Sequence, residues 1–231
     1  LPMERDTICR IYSMSKIITS IGALILFEEG RFNLDDSVSK YLPELKDMKV
    51  MTGGTAGAPQ LEPLKRPITI KHLLTHTSGL IYGSTGTNEL ANLYERAALW
   101  TGPGLSNFIA KLGKLPLKHQ PGDAYTYGTS TDVLGALIER VSGQALGLFL
   151  EARIFRPLGM NATSFDVPAE KMNRLAKTYK HGSDGKFVEA EPGISASTEK
   201  GRGIESGGGG MFSTAGDYAR FGQMLLNGGT L

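Results

Sequence analysis

Ile11-Tyr12-Ser13-Met14-Ser15-Lys16 decides how this chain is read, because it sets a hydroxyl and an amine three residues apart just where an apolar helix begins. After it, Ile17, Ile18, Ile21, Leu24, Ile25 and Phe27 recur at helical spacing and Gly30 supplies a stop. Ser13 and Lys16 are therefore one turn apart and share a face. Serine is a poor nucleophile at neutral pH unless a neighbouring base takes its proton, and a lysine whose pKa is lowered by burial or nearby cations can do so. The helix N-terminus also favours negative charge developing at Ser13. Taken alone, the tetrapeptide equally describes a helix cap followed by a solvated lysine, so its meaning depends on context.

A second region supplies that context. Gln120-Pro121-Gly122-Asp123-Ala124-Tyr125-Thr126-Tyr127-Gly128-Thr129-Ser130 reads as a turn, a short extended piece and the start of a helix. Val133, Leu134, Leu137, Ile138 and Val141 mark that helix's apolar face, with Ser130 or Thr131 as cap and Gly143 as stop. Tyr127 thus lies in a loop just before a helix. A loop tyrosine is ordinarily a packing residue, but one held near a Ser/Lys pair can relay a proton.

The bulk properties narrow the function classes. The 231 residues, 40% of them hydrophobic, suffice for a sizeable core. The formal net charge of +2, with signs intermixed, offers no basic stripe for nucleic acid or an anionic membrane and suits a small neutral or weakly charged substrate. Cys9 is the only cysteine, which excludes an internal disulfide and a cysteine-rich zinc site, and it is expected to pack as a small hydrophobe. No apolar run reaches the length of a membrane span. No signal peptide is visible, which favours a cytoplasmic location, but a start at Leu1 and a finish soon after Asn227-Gly228-Gly229 make the chain look cut at both ends, so the location stays unknown.

Helices are expected around Thr69 to Thr75, Asn88 to Leu99, Ser106 to Leu112 and Ala145 to Phe155. Met51 to Pro67 and Ser78 to Thr87 read as loops from their Gly, Ser, Thr and Pro content. Within Ala176 to Thr198, His181-Gly182-Ser183-Asp184-Gly185 is a hairpin turn. Gly207 to Gly210, taken alone, reads as a flexible linker, unless the backbone there closely approaches something or adopts positive φ. A last helix opens at Thr214 with Asp217 as a variant capping box and turns Tyr218, Phe221, Leu225 and Leu226 inward. No repeat or charge block interrupts the plan, so residues 1–231 are expected to form a single domain.

These residues together resemble the serine β-lactamase and penicillin-recognising enzyme superfamily, and especially its class C-like branch of family VIII carboxylesterases. The resemblance covers nearly the whole chain and is carried by Ser13-Met14-Ser15-Lys16, Leu73-Leu74-Thr75-His76-Thr77-Ser78-Gly79-Leu80, Pro121-Gly122 ahead of Tyr127, and Gly207-Gly208-Gly209-Gly210-Met211-Phe212-Ser213-Thr214. It implies an α/β (α+β) fold of the β-lactamase/transpeptidase-like type, here mainly its helical region, with much of the central antiparallel sheet missing and apolar surface exposed where that sheet would pack. By the same resemblance Ser13 is the residue acylated, Lys16 assists its deprotonation, Tyr127 shuttles protons to the leaving group and from the deacylating water, and the Ser13 amide gives one oxyanion donor. No cofactor or metal is implied.

Two departures from the family matter. Thr129 stands where class C β-lactamases carry an asparagine, which removes an amide contact to a β-lactam side chain and favours an esterase. The family's third motif, Lys-Thr-Gly or an equivalent, has no convincing match. The expectation is a carboxylesterase cleaving short-chain acyl esters through an acyl-enzyme, with weak β-lactam hydrolysis. The alternatives are a class C-type β-lactamase, a D-amino-acid peptidase, an acyltransferase, and a non-catalytic scaffold, against which retention of Ser13, Lys16 and Tyr127 together speaks. His72 and His76 have a metal-like spacing, but Leu73 stands where a zinc protease needs glutamate, so His76 is expected to hold a buried backbone contact. No Gly-x-Ser-x-Gly elbow occurs, which argues against an α/β-hydrolase.

Overall fold

The apolar run after Lys16 forms the central helix of an α+β architecture. In the computed structural model, which describes residues 3–83, 88–190 and 203–230, a short strand β1 (Cys9–Arg10) leads through one tight turn, Tyr12–Met14, into α1 (Ser15–Glu28). Gly30, at φ +69°, ends the helix in a left-handed conformation that glycine adopts without a Cβ penalty. Ile18, Ala23 and Leu26 are buried, whereas Ile17 is 50% exposed on the other face.

Residues Met51 to Pro67 depart from the expected loop. β2 (Lys49–Thr55) and β3 (Ala58–Pro63) form an antiparallel hairpin around Ala56-Gly57, and Leu117 bonds to the outer strand through Met51 N–H (2.9 Å) and Lys49 C=O (2.7 Å). Most of its side chains are solvated, so there is no apolar alternation to read. The strands are made by backbone pairing instead. Cys9 is half-buried in β1.

The expected helices follow with shifted ends: α2 (Ile70–Leu74), α3 (Glu89–Arg96) and α4 (Gly104–Leu112). Thr69 and Asn88 cap the first two by accepting from His72 N–H and Ala91 N–H. α5 (Ser130–Ser142) ends at Gly143, φ +73°, as expected, but its N-cap position is Thr129 and no side chain caps it. α6 (Leu146–Leu150) continues into a wider turn through Phe155. β4 (Tyr179–His181) and β5 (Phe187–Glu189) make the expected hairpin, while residues 191–198 and 84–87 of the segments read above lie outside the described residues.

β6 (Phe212–Ser213) pairs antiparallel with β1, and α7 (Ala215–Leu226) follows, with Thr214 Oγ1 accepting from Asp217 N–H at 3.2 Å. The inward face of α7 needs correction. Phe221 and Met224 are buried, but Leu225 is 39% and Leu226 83% exposed, because a period of 3.6 carries Leu226 past the core-facing stripe. The strand pairs form three separate two-stranded sheets among the described residues.

The core lies between α1, α4, α5 and α6, and α1 packs on α5 and α6 through Gly22, where an added Cβ would stand 2.6 Å from Leu150 Cδ2. Gly207 to Gly210 is no linker: the run is buried and wedged against the same two helices α1 and α5. A Cβ at Gly207 would lie 2.8 Å from Thr131 C=O and 2.9 Å from Thr19 Cγ2. Close approach, not positive φ, explains the glycine there. Gly207→Ala is accordingly expected to cost about 1–3 kcal/mol, seen in urea unfolding as a lower midpoint at unchanged slope.

Candidate active site

Ser13 is presented by a strained junction. Ile11 N–H donates to Met211 C=O (3.1 Å) at the end of the β1–β6 pair, and Tyr12 then takes φ +43°, unusual for a residue with a side chain. The chain thereby turns from strand to helix at Ser13, which stays exposed, with Lys16 in the first turn of α1. Tyr127 comes from the loop before α5. Thr126 N–H donates to His76 C=O and Gly122 N–H to Thr77 C=O, both at 2.8 Å, and Gly128 lies so close to the Leu80 carbonyl that no side chain would fit.

These elements bring the three sequence-predicted residues together. Ser13 Oγ and Tyr127 OH share a hydrogen bond of 2.6 Å, and Lys16 Nζ donates to Ser13 Oγ at 3.3 Å. Lys16 Nζ donates more closely, at 2.5 Å, to Gly208 C=O and lies 4.7 Å from the centre of the Tyr127 ring.

The glycine turn that receives Lys16 is itself fixed by a buried carboxylate. Asp132, in the first turn of α5, accepts from Ser206 Oγ (2.6 Å) and Gly208 N–H (2.8 Å) on Oδ1, and from Tyr82 OH at 3.4 Å on Oδ2. Thr19 Oγ1 adds a bond to Gly207 C=O (2.9 Å), and Met211 N–H donates to Ser15 Oγ (3.2 Å). Sequence reading missed Asp132, Tyr82, Ser206 and Thr19. Little in the sequence signals Asp132, because an acidic residue in a first helical turn is ordinarily a solvated partner of the helix end, whereas this one is buried and so must be hydrogen-bonded.

Electrostatics separates the two neighbouring tyrosines, whose rings lie 5.7 Å apart. Burial works to raise Tyr127, but the hydrogen bonds of Lys16 and Ser13 and the charge of Lys16 outweigh it and hold the phenol below its ordinary value. Tyr82 is pushed far up, by burial first and then by the charge of Asp132 and the neighbouring Tyr127. Tyr127 is thus the phenol set to titrate and Tyr82 a permanent donor. Asp132 is raised by burial, which its bonds to Ser206 and Gly208 and the charge of Lys16 only partly offset.

His76 corrects an expectation. Among the described residues its ring Nδ1 is buried without a hydrogen-bond partner, and the ring packs on Tyr127 at 5.2 Å and edge-on to Tyr125 at 6.0 Å. Burial, then the charge of Lys16, lowers its pKa and keeps the imidazole neutral. His72 instead completes a capping box, with Nδ1 accepting from Thr69 N–H at 3.2 Å. Among the described residues no group of three or more His, Cys, Asp or Glu is placed to hold a metal, and no single helix is long and apolar enough to cross a membrane.

Ser13, Lys16 and Tyr127 open onto a cavity of about 630 Å³ walled by Tyr12, Tyr82, Tyr94, Leu99, Trp100 and Thr129. That volume and aromatic lining suit a small organic molecule. Thr129, expected to lack the family's amide, is buried and its Oγ1 has no partner.

The chain belongs to the beta-lactamase family, whose model, described as Beta-lactamase, matches residues 1–231. It is 37% identical over 234 residues to Protein Rv1367c of Mycobacterium tuberculosis, covering 100% of this chain and 57% of that protein. It is 34% identical over 239 residues to Esterase EstB of Burkholderia gladioli, covering 95% of this chain and 57% of the esterase. Among solved structures, unliganded selenomethionyl Simvastatin Synthase (LovD) from Aspergillus terreus superposes with a TM-score of 0.82 at 32% identity, over 97% of this chain and 55% of that one. The chain therefore spans little more than half the length of these relatives, and its fold is the β-lactamase/transpeptidase-like one, rich in helix with small sheets.

Because two buried donors depend on Asp132, Asp132→Ala is expected to cost about 2–5 kcal/mol, read as a lower melting temperature, and to release the turn that holds Lys16.

Proposed function

We propose that this chain carries the catalytic machinery of a serine carboxylesterase of the family VIII kind, which cleaves acyl esters through an acyl-enzyme on Ser13. The observation that carries the reading is the 2.6 Å bond between Ser13 Oγ and Tyr127 OH beside the Lys16 ammonium. Ser13 Oγ attacks the ester carbonyl while Tyr127, as phenolate stabilised by Lys16, takes its proton. The Ser13 amide donates to the oxyanion, and Tyr127 returns the proton to the departing alcohol. Water then enters and gives a proton to Tyr127 as its oxygen bonds to the acyl carbon; the Ser13 Oγ–acyl bond breaks, Tyr127 passes the proton to Oγ, and the acid, the free serine and the phenolate are restored. Lys16 and Tyr127 act as a coupled acid/base pair.

Membership in the beta-lactamase family and similarity to Esterase EstB support this reading. Thr129 in place of an amide side chain favours an ester over a β-lactam as the substrate, and weak β-lactam turnover fits the same nucleophile. Transfer of the acyl group to an alcohol is the second reading, favoured by a cavity whose apolar wall can hold an acceptor beside Ser13. Adding an alcohol and finding the new ester among the products selects it.

With a p-nitrophenyl acyl ester, Ser13→Ala is expected to abolish turnover. Lys16→Ala and Tyr127→Phe are each expected to lose about a hundred- to ten-thousandfold in kcat/KM, and the double variant little more than either, because the pair acts as a unit. Unchanged activity in Ser13→Ala contradicts the mechanism.

The lowered Tyr127 pKa adds a pH signature. The phenolate is the active base, so kcat/KM rises with pH along a limb centred below the ordinary tyrosine value of about 10, and Tyr127→Phe removes that limb. A pH profile flat in the native chain contradicts Tyr127 as base.

A further inference from the structure

One wall of the cavity is held in place from outside it. Ala98, Leu99, Trp100 and Thr101 follow α3 as a turn lining the same space as Ser13, Lys16 and Tyr127. Ala98 sits at φ +46°, a left-handed conformation that costs an alanine free energy and persists only where surrounding bonds impose it. Within the turn, Thr101 N–H (3.1 Å) and Thr101 Oγ1 (2.8 Å) donate to Ala98 C=O, and from outside it the turn is held by Lys111 on α4. Its Nζ donates to Ala98 C=O (3.0 Å), Thr101 C=O (2.7 Å) and Thr101 Oγ1 (2.8 Å). Asn107 Nδ2 adds a bond to Thr101 C=O at 2.8 Å.

All three donor positions of the ammonium are thus directed at the turn. A cation there also meets the negative end of the α3 dipole. On the cavity side the turn presents Leu99, almost fully buried, and Trp100, whose ring packs on the buried Phe108 at 4.8 Å. The turn thus has a polar staple behind it and an apolar surface in front, with Glu95 of α3 lining the same cavity beside it.

We propose that this turn sets which substrates the site accepts, taking their apolar group against Leu99 and Trp100, and that Lys111 is the positioning residue that holds it. The inference rests on the serine-esterase reading for the nature of the substrate, but not for the existence of the binding wall. It assigns the site to esters with a bulky aromatic or alicyclic group, not to short-chain esters alone. Lys111 touches no reacting atom, so its loss alters recognition of large substrates and spares small ones.

Trp100 is the only tryptophan of the sequence, so its fluorescence reports on the wall directly. The test titrates the full chain with N-(2-naphthyl)acetamide, a non-reacting analogue of 2-naphthyl acetate, and separately measures turnover of 2-naphthyl acetate and vinyl acetate. Quenching is expected in the native chain and equally in Ser13→Ala. Lys111→Met is expected to weaken the amide by about tenfold and to raise KM for the naphthyl ester to match, with kcat/KM for vinyl acetate within about twofold of native. Lys111→Arg is expected to restore binding. Absence of quenching in the native chain, or equal affinity in Lys111→Met, overturns the proposal. Should Lys111→Met lack a cooperative melt, Thr101→Val, which removes the hydroxyl that accepts from Lys111 and donates to Ala98 C=O, takes its place with the same outcomes. Intact quenching in a chain that turns over neither ester supports the wall and contradicts the esterase reading instead.

Discussion

Asp132 is the side chain on which the geometry of this site depends. It is fully buried, and a buried carboxylate is tolerated only where donors surround it. Ser206 Oγ and Gly208 N–H provide them, which fastens the glycine turn to the start of α5. The Gly208 carbonyl then faces Lys16 and draws its ammonium into place beside Ser13 and Tyr127. The requirement for glycine has the same origin, since at Gly208 a Cβ would collide with the Asp132 carboxylate.

From this anchor the chemistry follows by differences between like groups. Tyr82 and Tyr127 are near neighbours, yet one is buried against a carboxylate and the other bonded to a serine and flanked by an ammonium. Their pKa values are driven in opposite directions, which is how a single fold separates a fixed donor from a group able to exchange protons. His76 contributes by shape and by neutrality: its ring backs Tyr127 while its depressed pKa avoids placing a second cation near Lys16.

Much of this was legible in the sequence because it is local. The period after Lys16, the stop at Gly143 and the cap at Thr214 each depend on residues within a turn or two, and the Ser13/Lys16 pair needs only helical spacing. The meeting of Tyr127 with Ser13 was legible through resemblance alone, since 114 residues separate them. What stayed hidden depends on distant backbone. The β2–β3 hairpin is solvated and lacks alternation, so only its ladder and Leu117 define it. Asp132 stands in the first turn of α5, where an acid ordinarily needs no partner beyond the helix end, and its role appears only when residues 74 and 76 positions away fold onto it. Leu226 shows the opposite error, an apolar residue at the end of a helix that turns to solvent.

The central claim is that Ser13 is an activated nucleophile in this chain. Intact mass spectrometry after exposure to a fluorophosphonate, with peptide mapping of the adduct, tests it without any assumption about substrate. The account predicts one phosphonyl adduct on the peptide containing Ser13, absent from Ser13→Ala and formed more slowly in Tyr127→Phe. An unlabelled chain, or labelling that persists in Ser13→Ala, would contradict it.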